Sequence, residues 1–372
     1  MSTDHHAGLE EVKVMPSSIT LIEGRSLYYR GIPIEELARQ SNFEEVVYLL
    51  WYSRLPGVRE LDRLKKELRE NNQIPWEIQE MIHHLPRQAH PMAALRTLVS
   101  ALALHDHEAD ILTYEANERK AIRILAKIPV LVTGFERHRK AKSIIEPRQD
   151  LSFAQNFLYM LWGEEPDEIS ARTLETALVL YAEHELNAST FNARIVTAAL
   201  ADMYAAITSA LATLKGALHG GATQKAMEML LDIGDPQAVP EWIDVRLARK
   251  ERIMGFGHRV YKEGDPRVPI LKAMAEKLCL QLGYEKAYET ALAVEDYMLK
   301  KKNLRANVDF YGGLVFYALG FPTDMFTAVF AVARTAGWIA HIFEQYENNR
   351  LIRPRAEYIG PRNVKYVPIT AR

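Results

Sequence analysis

The sequence has very little cysteine and no strong excess of charge of either sign. Cys279 is the single cysteine among 372 residues, so an intramolecular disulfide and a thiolate metal cage are both excluded, and a reducing compartment is compatible with this composition. With 46 Lys and Arg against 48 Asp and Glu, the formal net charge is −2 at pH 7. No nucleic acid or anionic membrane is expected as a partner on these grounds, and any functional positive charge must be local.

The chain also lacks several motifs that would assign a function directly. Its start, MSTDHHAGLEEV, has no basic stretch followed by an apolar run, so a secretory signal is not expected and the cytoplasm is the expected location. No glycine loop ends in Lys-Ser or Lys-Thr, and GFGHRV lacks the third glycine and the strand context of a dinucleotide fingerprint. The metalloprotease pattern HExxH and clusters of Cys with His are missing too.

Alternating strand patterns are few, whereas helical periodicity is widespread. In LADMYAAITSALATL, apolar residues from Leu200 to Leu214 recur at helical spacing, and the segment before His184 repeats this pattern. The plausible short strands lie near the N-terminus, around SSITLIEGRSLYYRG. We therefore predict a mainly α fold with at most a few short N-terminal strands. Its length predicts two domains, since single cores stop growing below about 300 residues.

One apolar segment approaches the length of a membrane span. It is MFTAVFAVARTAGWIAHIF, residues 325–343, and Arg334 lies at its centre. Because the flanking helices have the pattern of a soluble protein, we predict a buried central helix and no membrane partner. A guanidinium in an apolar helix is costly unless it meets a carboxylate or an anionic ligand. Arg334 is therefore either half of a buried ion pair or a binding residue for an anion.

Three histidines stand in settings unlike an ordinary core or a solvated face. His184 follows an amphipathic helix in YAEHELNASTF, His219 precedes a helix in LKGALHGGATQKAMEML, and His258 follows two glycines in MGFGHRV. An imidazole at a helix N-terminus is pushed toward its neutral form, in which it can donate one hydrogen bond. Each histidine taken alone also fits a structural role. A metal site built from these three with Asp309 stays geometrically open, but no metal is expected.

A carboxylate and several arginines complete the candidate site. Asp309, in RANVDFYGG, is followed by aromatic residues and glycines, which favours a base over a surface aspartate; the alternative is a helix N-cap. A base that removes a proton from carbon needs an acid partner at the enolate oxygen, and an Asp with a neutral His supplies that pair. Arg267, Arg334 and the tail segment NNRLIRPRAEY add guanidinium groups, which suit a small polycarboxylate. A non-catalytic helical protein that binds metabolites is the alternative from another class.

Taken together, these segments resemble the citrate synthase family. The resemblance is carried by HELNASTF, LKGALHGGA, MGFGHRVYK with the following DPR, NVDFY, FAVARTAGWIAH and NNRLIRPRAEYIGP, and it runs from residue 8 to the C-terminus. It implies an almost all-α homodimer with a two-domain, multi-helical fold. The implied large domain comprises residues 1–221 and 328–372, and the implied small domain, 222–327, closes over the active site.

The resemblance also implies a reaction and its catalytic residues. The reaction is the condensation of acetyl-CoA with oxaloacetate and water to citrate and CoA, with the CoA thioester as co-substrate and no tightly bound cofactor. Asp309 would remove the methyl proton, His219 would hydrogen-bond the thioester oxygen, and His258 would polarise the oxaloacetate carbonyl.

Further residues are implied as ligands of the two substrates. Oxaloacetate would be bound by one histidine and three arginines, the last supplied across the dimer: His184, Arg267, Arg334 and Arg353. Arg259 and Lys262 would bind CoA phosphates, with surface solvation as the alternative, and Gly255 and Gly257 would make room for the coenzyme. These motifs would bind oxaloacetate and the thioester, which are common to both reactions, so 2-methylcitrate synthase, which uses propionyl-CoA, remains the alternative within the family.

Overall fold

The computed structural model describes residues 7–9, 12–257, 261 and 264–372. Within these ranges the chain forms sixteen α-helices and one three-stranded sheet. The predicted mainly α fold with a few short N-terminal strands is confirmed. His258, Arg259 and Lys262 lie outside the described residues.

The small sheet lies near the N-terminus and is antiparallel throughout. Its strands are β1 (Thr20–Glu23), β2 (Ser26–Tyr29) and β3 (Ile32–Pro33), in that order. Along β2, Leu27 and Tyr29 are buried while Ser26 and Tyr28 are half-buried. This period-two pattern turns one face of the sheet onto the helices and carries Tyr29 into the interior.

The helices fall into two halves of the chain. The first half contains α1 (Ile34–Gln40), α2 (Phe43–Tyr52), α3 (Val58–Glu70), α4 (Trp76–His84), α5 (Pro91–Leu102), α6 (Tyr114–Arg139), α7 (Phe153–Trp162) and α8 (Glu168–Tyr181). The second half contains α9 (Ala188–Ala198), α10 (Met203–Leu214), α11 (Ala222–Ile233), α12 (Val239–Ala248), α13 (Val268–Leu282), α14 (Glu285–Lys302), α15 (Val308–Ala318) and α16 (Phe326–Glu347). Two helices that form the site begin at an asparagine N-cap: Asn187 caps α9, and Asn307 caps α15.

Helix α16 is the centre of the fold. It packs against seven other helices: α2, α5, α6, α8, α9, α10 and α11. One helical segment in the described ranges, Thr323–Glu347, is long and apolar enough to cross a membrane, and 94% of its apolar window is buried inside the protein. The prediction of a buried central helix is therefore confirmed.

Helices α11 to α15 pack on one another and touch the rest of the protein through α8 and α16. The contact between α11 and α15 is close because Gly313 lies on it: a Cβ at this position would stand 2.9 Å from the carbonyl oxygen of Thr223. This group of helices falls within residues 222–327. The assignment of that range as a separate small domain stays a prediction.

Candidate active site

A buried ion pair lies in the loop before α13. Arg267 Nε and Nη2 donate to the two carboxylate oxygens of Asp265 at 2.9 and 2.8 Å, and both side chains are buried. Asp265 Oδ2 also accepts the N–H of Val308 at 3.1 Å, which ties this loop to the first turn of α15. Burial alone would lower the pKa of Arg267, but the Asp265 carboxylate outweighs it and raises this pKa. Arg267 is thus held as a fixed cation.

Arg334 is a buried cation of a different kind. It lies on α16 with 2% of its surface exposed, Nε donates to the carbonyl of Tyr181 at 2.9 Å, and the guanidinium lies 4.5 Å from the centre of the Phe330 ring. No carboxylate within the described ranges forms an ion pair with it, and burial lowers its pKa. Of the two roles expected from the sequence, this geometry favours the binding of an anion over a permanent ion pair.

His219 lies in the turn between α10 and α11, and its ring contacts the first turn of α9. The N–H of Ser189 points at Nε2 at 3.3 Å. Because a backbone amide can only donate, Nε2 is the bare nitrogen and Nδ1 carries the proton. The Ser189 hydroxyl lies 2.8 Å from Nε2 and 2.7 Å from Asn187 Oδ1, and it shares its single proton between them.

Burial, reinforced by the positive charge of Arg334, lowers the pKa of His219 to about 4. The imidazole is therefore neutral near pH 7 and keeps one N–H for a ligand. The backbone N–H that contacts the ring comes from the first turn of α9, not from α11, the helix that follows His219 in the sequence.

Asp309 is the second residue of α15. Its own N–H donates to Asn307 Oδ1 at 3.0 Å, so Asn307 is the cap and the alternative assignment of Asp309 as an N-cap is wrong. The hydroxyl of Thr223 donates a short hydrogen bond to Asp309 Oδ1, while Oδ2 accepts none from the described residues.

The surroundings of Asp309 set its basicity. Burial raises the pKa of this carboxyl, against the opposing effects of the Thr223 hydroxyl and the cations Arg267 and Arg334. A carboxylate with a raised pKa and one open oxygen is suited to accept a proton.

Gly255 and Gly257 attach the loop before His258 to the segment that leads into α15. Gly257 N donates to the carbonyl of Arg305 at 3.0 Å, and Asn307 N donates to the carbonyl of Gly255 at 2.9 Å. The two glycines have φ of +82° and +76°, and a Cβ on Gly255 would stand 2.9 Å from the Phe310 side chain. The backbone conformation therefore favours glycine at both positions, and close packing requires it at position 255 as well.

His184 joins the site through a tyrosine. The hydroxyl of Tyr261 lies 3.2 Å from His184 Nε2, and the two rings meet edge to face at 5.6 Å. Burial raises the pKa of Tyr261, and the charges of Arg267 and Asp265 act on the same hydroxyl. The contact between His184 and Tyr261 therefore lies next to the ion pair of Arg267 and Asp265.

Sequence reasoning missed several residues of this cluster. Tyr29, on β2, donates to the carbonyl of Glu183 at 2.8 Å, and both Arg267 and Arg334 act on its pKa, which burial raises. No local pattern marks it, because its partners lie more than 150 positions away along the chain. Tyr261 and Asp265, by contrast, could have been found from their place between His258 and Arg267.

Within this chain, Arg353 is not brought to the other site residues that the structure describes. It is exposed in the extended segment after α16. Among the described residues, no group of three or more His, Cys, Asp or Glu side chains is placed to hold a metal ion.

The fold and the site define a class of protein: a multi-helical enzyme in which buried guanidinium groups, a neutral imidazole and a carboxyl of raised pKa share one buried region. More particularly, the chain belongs to the citrate synthase family. The family description "Citrate synthase, C-terminal domain" matches residues 8–355.

Known relatives match over nearly the whole chain. Citrate synthase 2 of Bacillus subtilis is 50% identical, with 98% of each chain covered. 2-Methylcitrate synthase 1 of Corynebacterium glutamicum is 41% identical over 97% of this chain and 94% of its own. Citrate synthase of Thermoplasma acidophilum, solved as a ternary complex with carboxymethyl coenzyme A and oxaloacetate, has a TM-score of 0.93 at 36% identity and covers 98% of this chain and 99% of its own.

Proposed function

We propose that the chain is a citrate synthase, which condenses acetyl-CoA with oxaloacetate and water to citrate and CoA. The observation that carries this proposal is that a neutral imidazole, His219, and a carboxyl of raised pKa, Asp309, lie close enough to one buried arginine for its charge to act on both. This arginine is Arg334. That combination suits the removal of a proton from carbon next to a carbonyl. Full-length similarity to citrate synthases supports the same reaction.

The chemistry divides among three side chains. Asp309 Oδ2 takes a proton from the acetyl methyl group while His219 Nδ1–H donates a hydrogen bond to the thioester oxygen. The methyl carbon then forms a bond to the ketone carbon of oxaloacetate, and His258 supplies a proton to the oxygen of that ketone. Water finally attacks the thioester carbon, the C–S bond breaks, and CoA leaves as the thiol.

Oxaloacetate is held by cations and a histidine. Arg334, which has no carboxylate partner within the described ranges, binds one carboxylate of oxaloacetate, and Arg267 and His184 bind the rest. Arg259 and Lys262 bind the phosphates of the coenzyme, and Gly255 and Gly257 leave room for it. CoA enters as the thioester co-substrate, and no cofactor is tightly bound.

The enzyme acts as a cytoplasmic homodimer whose small domain, residues 222–327, closes over the substrates. Closure excludes bulk water and strengthens the charge interactions in the site. The partner copy contributes Arg353. Its exposure on the extended segment after α16 supports this role, because that segment is accessible to a second copy.

Release of free thiol tests the reaction. We expect thiol release from acetyl-CoA only when oxaloacetate is present, citrate as the product by mass spectrometry, and no effect of a metal chelator. A non-catalytic binding protein would bind oxaloacetate and release no thiol. A metal-dependent hydrolase would cleave acetyl-CoA without oxaloacetate and would lose activity with the chelator.

The acyl group is tested separately, because one methylene changes selectivity by only about 1–3 kcal/mol in a pocket. We expect kcat/KM with oxaloacetate to be higher for acetyl-CoA than for propionyl-CoA. The opposite order would make the chain a 2-methylcitrate synthase.

A further inference from the structure

The Asp309 carboxylate has a single side-chain partner in the described ranges, and the mechanism above does not use it. This partner is Thr223, whose hydroxyl donates to Oδ1. Thr223 is 1% exposed and is the second residue of α11. One carboxylate oxygen is therefore fixed by a buried group, while the other accepts no hydrogen bond from the described part of the chain.

The backbone is shaped to make this contact. Gly313 stands four residues after Asp309 on the same face of α15, and a Cβ there would lie 2.9 Å from the carbonyl of Thr223 and 3.4 Å from the Cβ of Met227. Only glycine at 313 lets α15 approach α11 this closely. The short distance between Thr223 and Asp309 is thus a consequence of helix packing.

The turn that leads into α11 also carries His219, the second residue to which the proposed mechanism gives a catalytic role. His219 lies just before α11, and Gly220 follows it. A Cβ on Gly220 would stand 2.4 Å from the carbonyl oxygen of Leu214, so the turn is too tight for a side chain at this position. Thr327 on the segment at the start of α16 donates to the carbonyl of Gly220 at 2.9 Å. A shift of this turn would move His219 and Thr223 together.

We propose that Thr223 is a positioning residue for Asp309: its hydroxyl holds Oδ1 so that Oδ2 faces the methyl group of the acyl thioester. This inference rests on the proposed function, in which Asp309 accepts the methyl proton. Thr223 itself touches neither substrate.

Removing the hydroxyl has a predictable electrostatic effect. The charged groups that act on Asp309 are Arg267 and Asp265 from the loop before α13 and Arg334 from α16, and Tyr181 of α8 also interacts with it. In addition to these groups, the hydrogen bond from Thr223 stabilises the ionised form of the Asp309 carboxyl and so lowers its pKa. Its loss therefore moves the pKa of Asp309 upward, and the acid limb of the pH profile moves with it.

The test compares Thr223→Val, which keeps the shape of the side chain, with Thr223→Ser, which keeps the hydroxyl. We expect Thr223→Val to lower kcat by roughly ten- to a hundredfold, because a misplaced reacting group costs up to about that much. KM for oxaloacetate stays nearly unchanged, and the acid limb of kcat/KM for acetyl-CoA shifts to higher pH. Thr223→Ser keeps most of the activity and the parent profile.

Several results would overturn the inference. The first is a Thr223→Val variant with the kcat and the pH profile of the parent. The second is a Thr223→Val variant that loses rate while its pH profile stays unshifted. The third is a Thr223→Ser variant that is as impaired as Thr223→Val. Circular dichroism checks folding, and Thr223→Ala replaces Thr223→Val if the latter does not fold.

A second readout separates this inference from the proposed function. The Asp309 carboxyl can be titrated by carbon-13 NMR with labelled aspartate and assigned against Asp309→Asn. A higher pKa in Thr223→Val than in the parent supports the contact even if the parent releases no thiol. Equal pKa values in the two proteins reject it, whatever the parent's activity.

Discussion

At the scale of single residues, Asp309 has the arrangement that a proton acceptor requires. Burial raises its pKa, the Thr223 hydroxyl occupies Oδ1, and Oδ2 is open among the described residues. The change Asp309→Asn keeps the shape but removes the base. We expect kcat to fall by about 10²- to 10⁴-fold, while the affinity for oxaloacetate, measured by calorimetry, stays nearly unchanged. A near-normal rate would remove Asp309 from its assigned role.

The state of the His219 ring is a second prediction at this scale. Its pKa is lowered to about 4, so we expect a neutral ring with the proton on Nδ1 from neutral pH down to about pH 5. Nitrogen-15 NMR of labelled histidine, assigned against His219→Gln, measures both properties. A ring that titrates near 6.5, or that carries its proton on Nε2, contradicts the prediction.

The same pKa shift couples His219 to stability. Since the folded pKa lies below the ordinary value, the unfolded chain takes up a proton first as the pH falls. The contribution of His219 to stability is therefore fully present above about pH 6.5 and is lost as the pH falls toward 4.

The sequence predicted most of the candidate site residues, but it did not predict which residues they contact. His219, Asp309 and Arg334 stand out because their neighbours are unusual for a surface or a core. Their partners do not, since the contact of His219 with α9 spans 30 positions and that of Arg334 with Tyr181 spans 153. Such contacts depend on how the helices pack, and local periodicity carries no information about that.

At the scale of elements, the crossing of α8 and α16 depends on one glycine. A Cβ on Gly337 would stand 2.1 Å from Glu183 Oε2 and 2.4 Å from the carbonyl of Ala182. We expect Gly337→Ala to destabilise the protein by about 1–3 kcal/mol or more, measured by thermal or denaturant unfolding.

The matched control for this substitution is Gly134→Ala in α6. A Cβ there would make only ordinary contacts, the nearest at 3.4 Å to Ile82, and alanine favours a helix over glycine by about 1 kcal/mol. Gly134→Ala should therefore be neutral or stabilising. Equal effects of the two substitutions would show that the crossing of α8 and α16 tolerates a side chain.

Helix α16 also allows a test of the buried cation. Arg334 has no carboxylate partner in the described ranges, so the free protein bears the cost of burying its charge. We expect Arg334→Met to raise the free energy of unfolding without substrate by about 1 kcal/mol or more. It should also raise KM for oxaloacetate roughly ten- to a hundredfold.

Arg194 on α9 supplies the comparison. It is buried too, but its guanidinium forms an ion pair with Glu344 at 2.6 Å. Arg194→Met leaves the Glu344 carboxylate without its guanidinium partner and should destabilise the protein by up to about 3–5 kcal/mol. If Arg334→Met destabilises the protein as much, Arg334 has a structural role like that of Arg194.

At the scale of the whole molecule, the expected role of Arg353 can be tested by mixing two inactive variants. Purified heterodimers of Arg353→Ala with Asp309→Asn contain one site with both changes and one site with neither, provided that Arg353 acts across the interface. We expect these heterodimers to regain about half of the parent's rate, because one of two symmetric sites is restored. Heterodimers as inactive as the two homodimeric variants would place Arg353 in its own subunit's site, and a fully active Arg353→Ala homodimer would place it outside any site.

The whole-molecule properties were also the hardest to predict from residues alone. The helical class and the burial of α16 follow from periodicity and from the position of Arg334 within an apolar run. The division into domains and the pairing of subunits depend on surfaces that no local pattern specifies, and both stay predictions.

The pairing of Gly255 and Gly257 with residues 305–307 has a mechanical consequence. Besides the two backbone hydrogen bonds, the side-chain amide of Asn307 donates to the carbonyl of Gly257, so three hydrogen bonds join these two stretches of backbone. Any rotation of the surrounding helices therefore moves the glycine segment and the first turn of α15, which carries Asp309, as a single unit. Their relative position is set when the chain folds, before any ligand arrives.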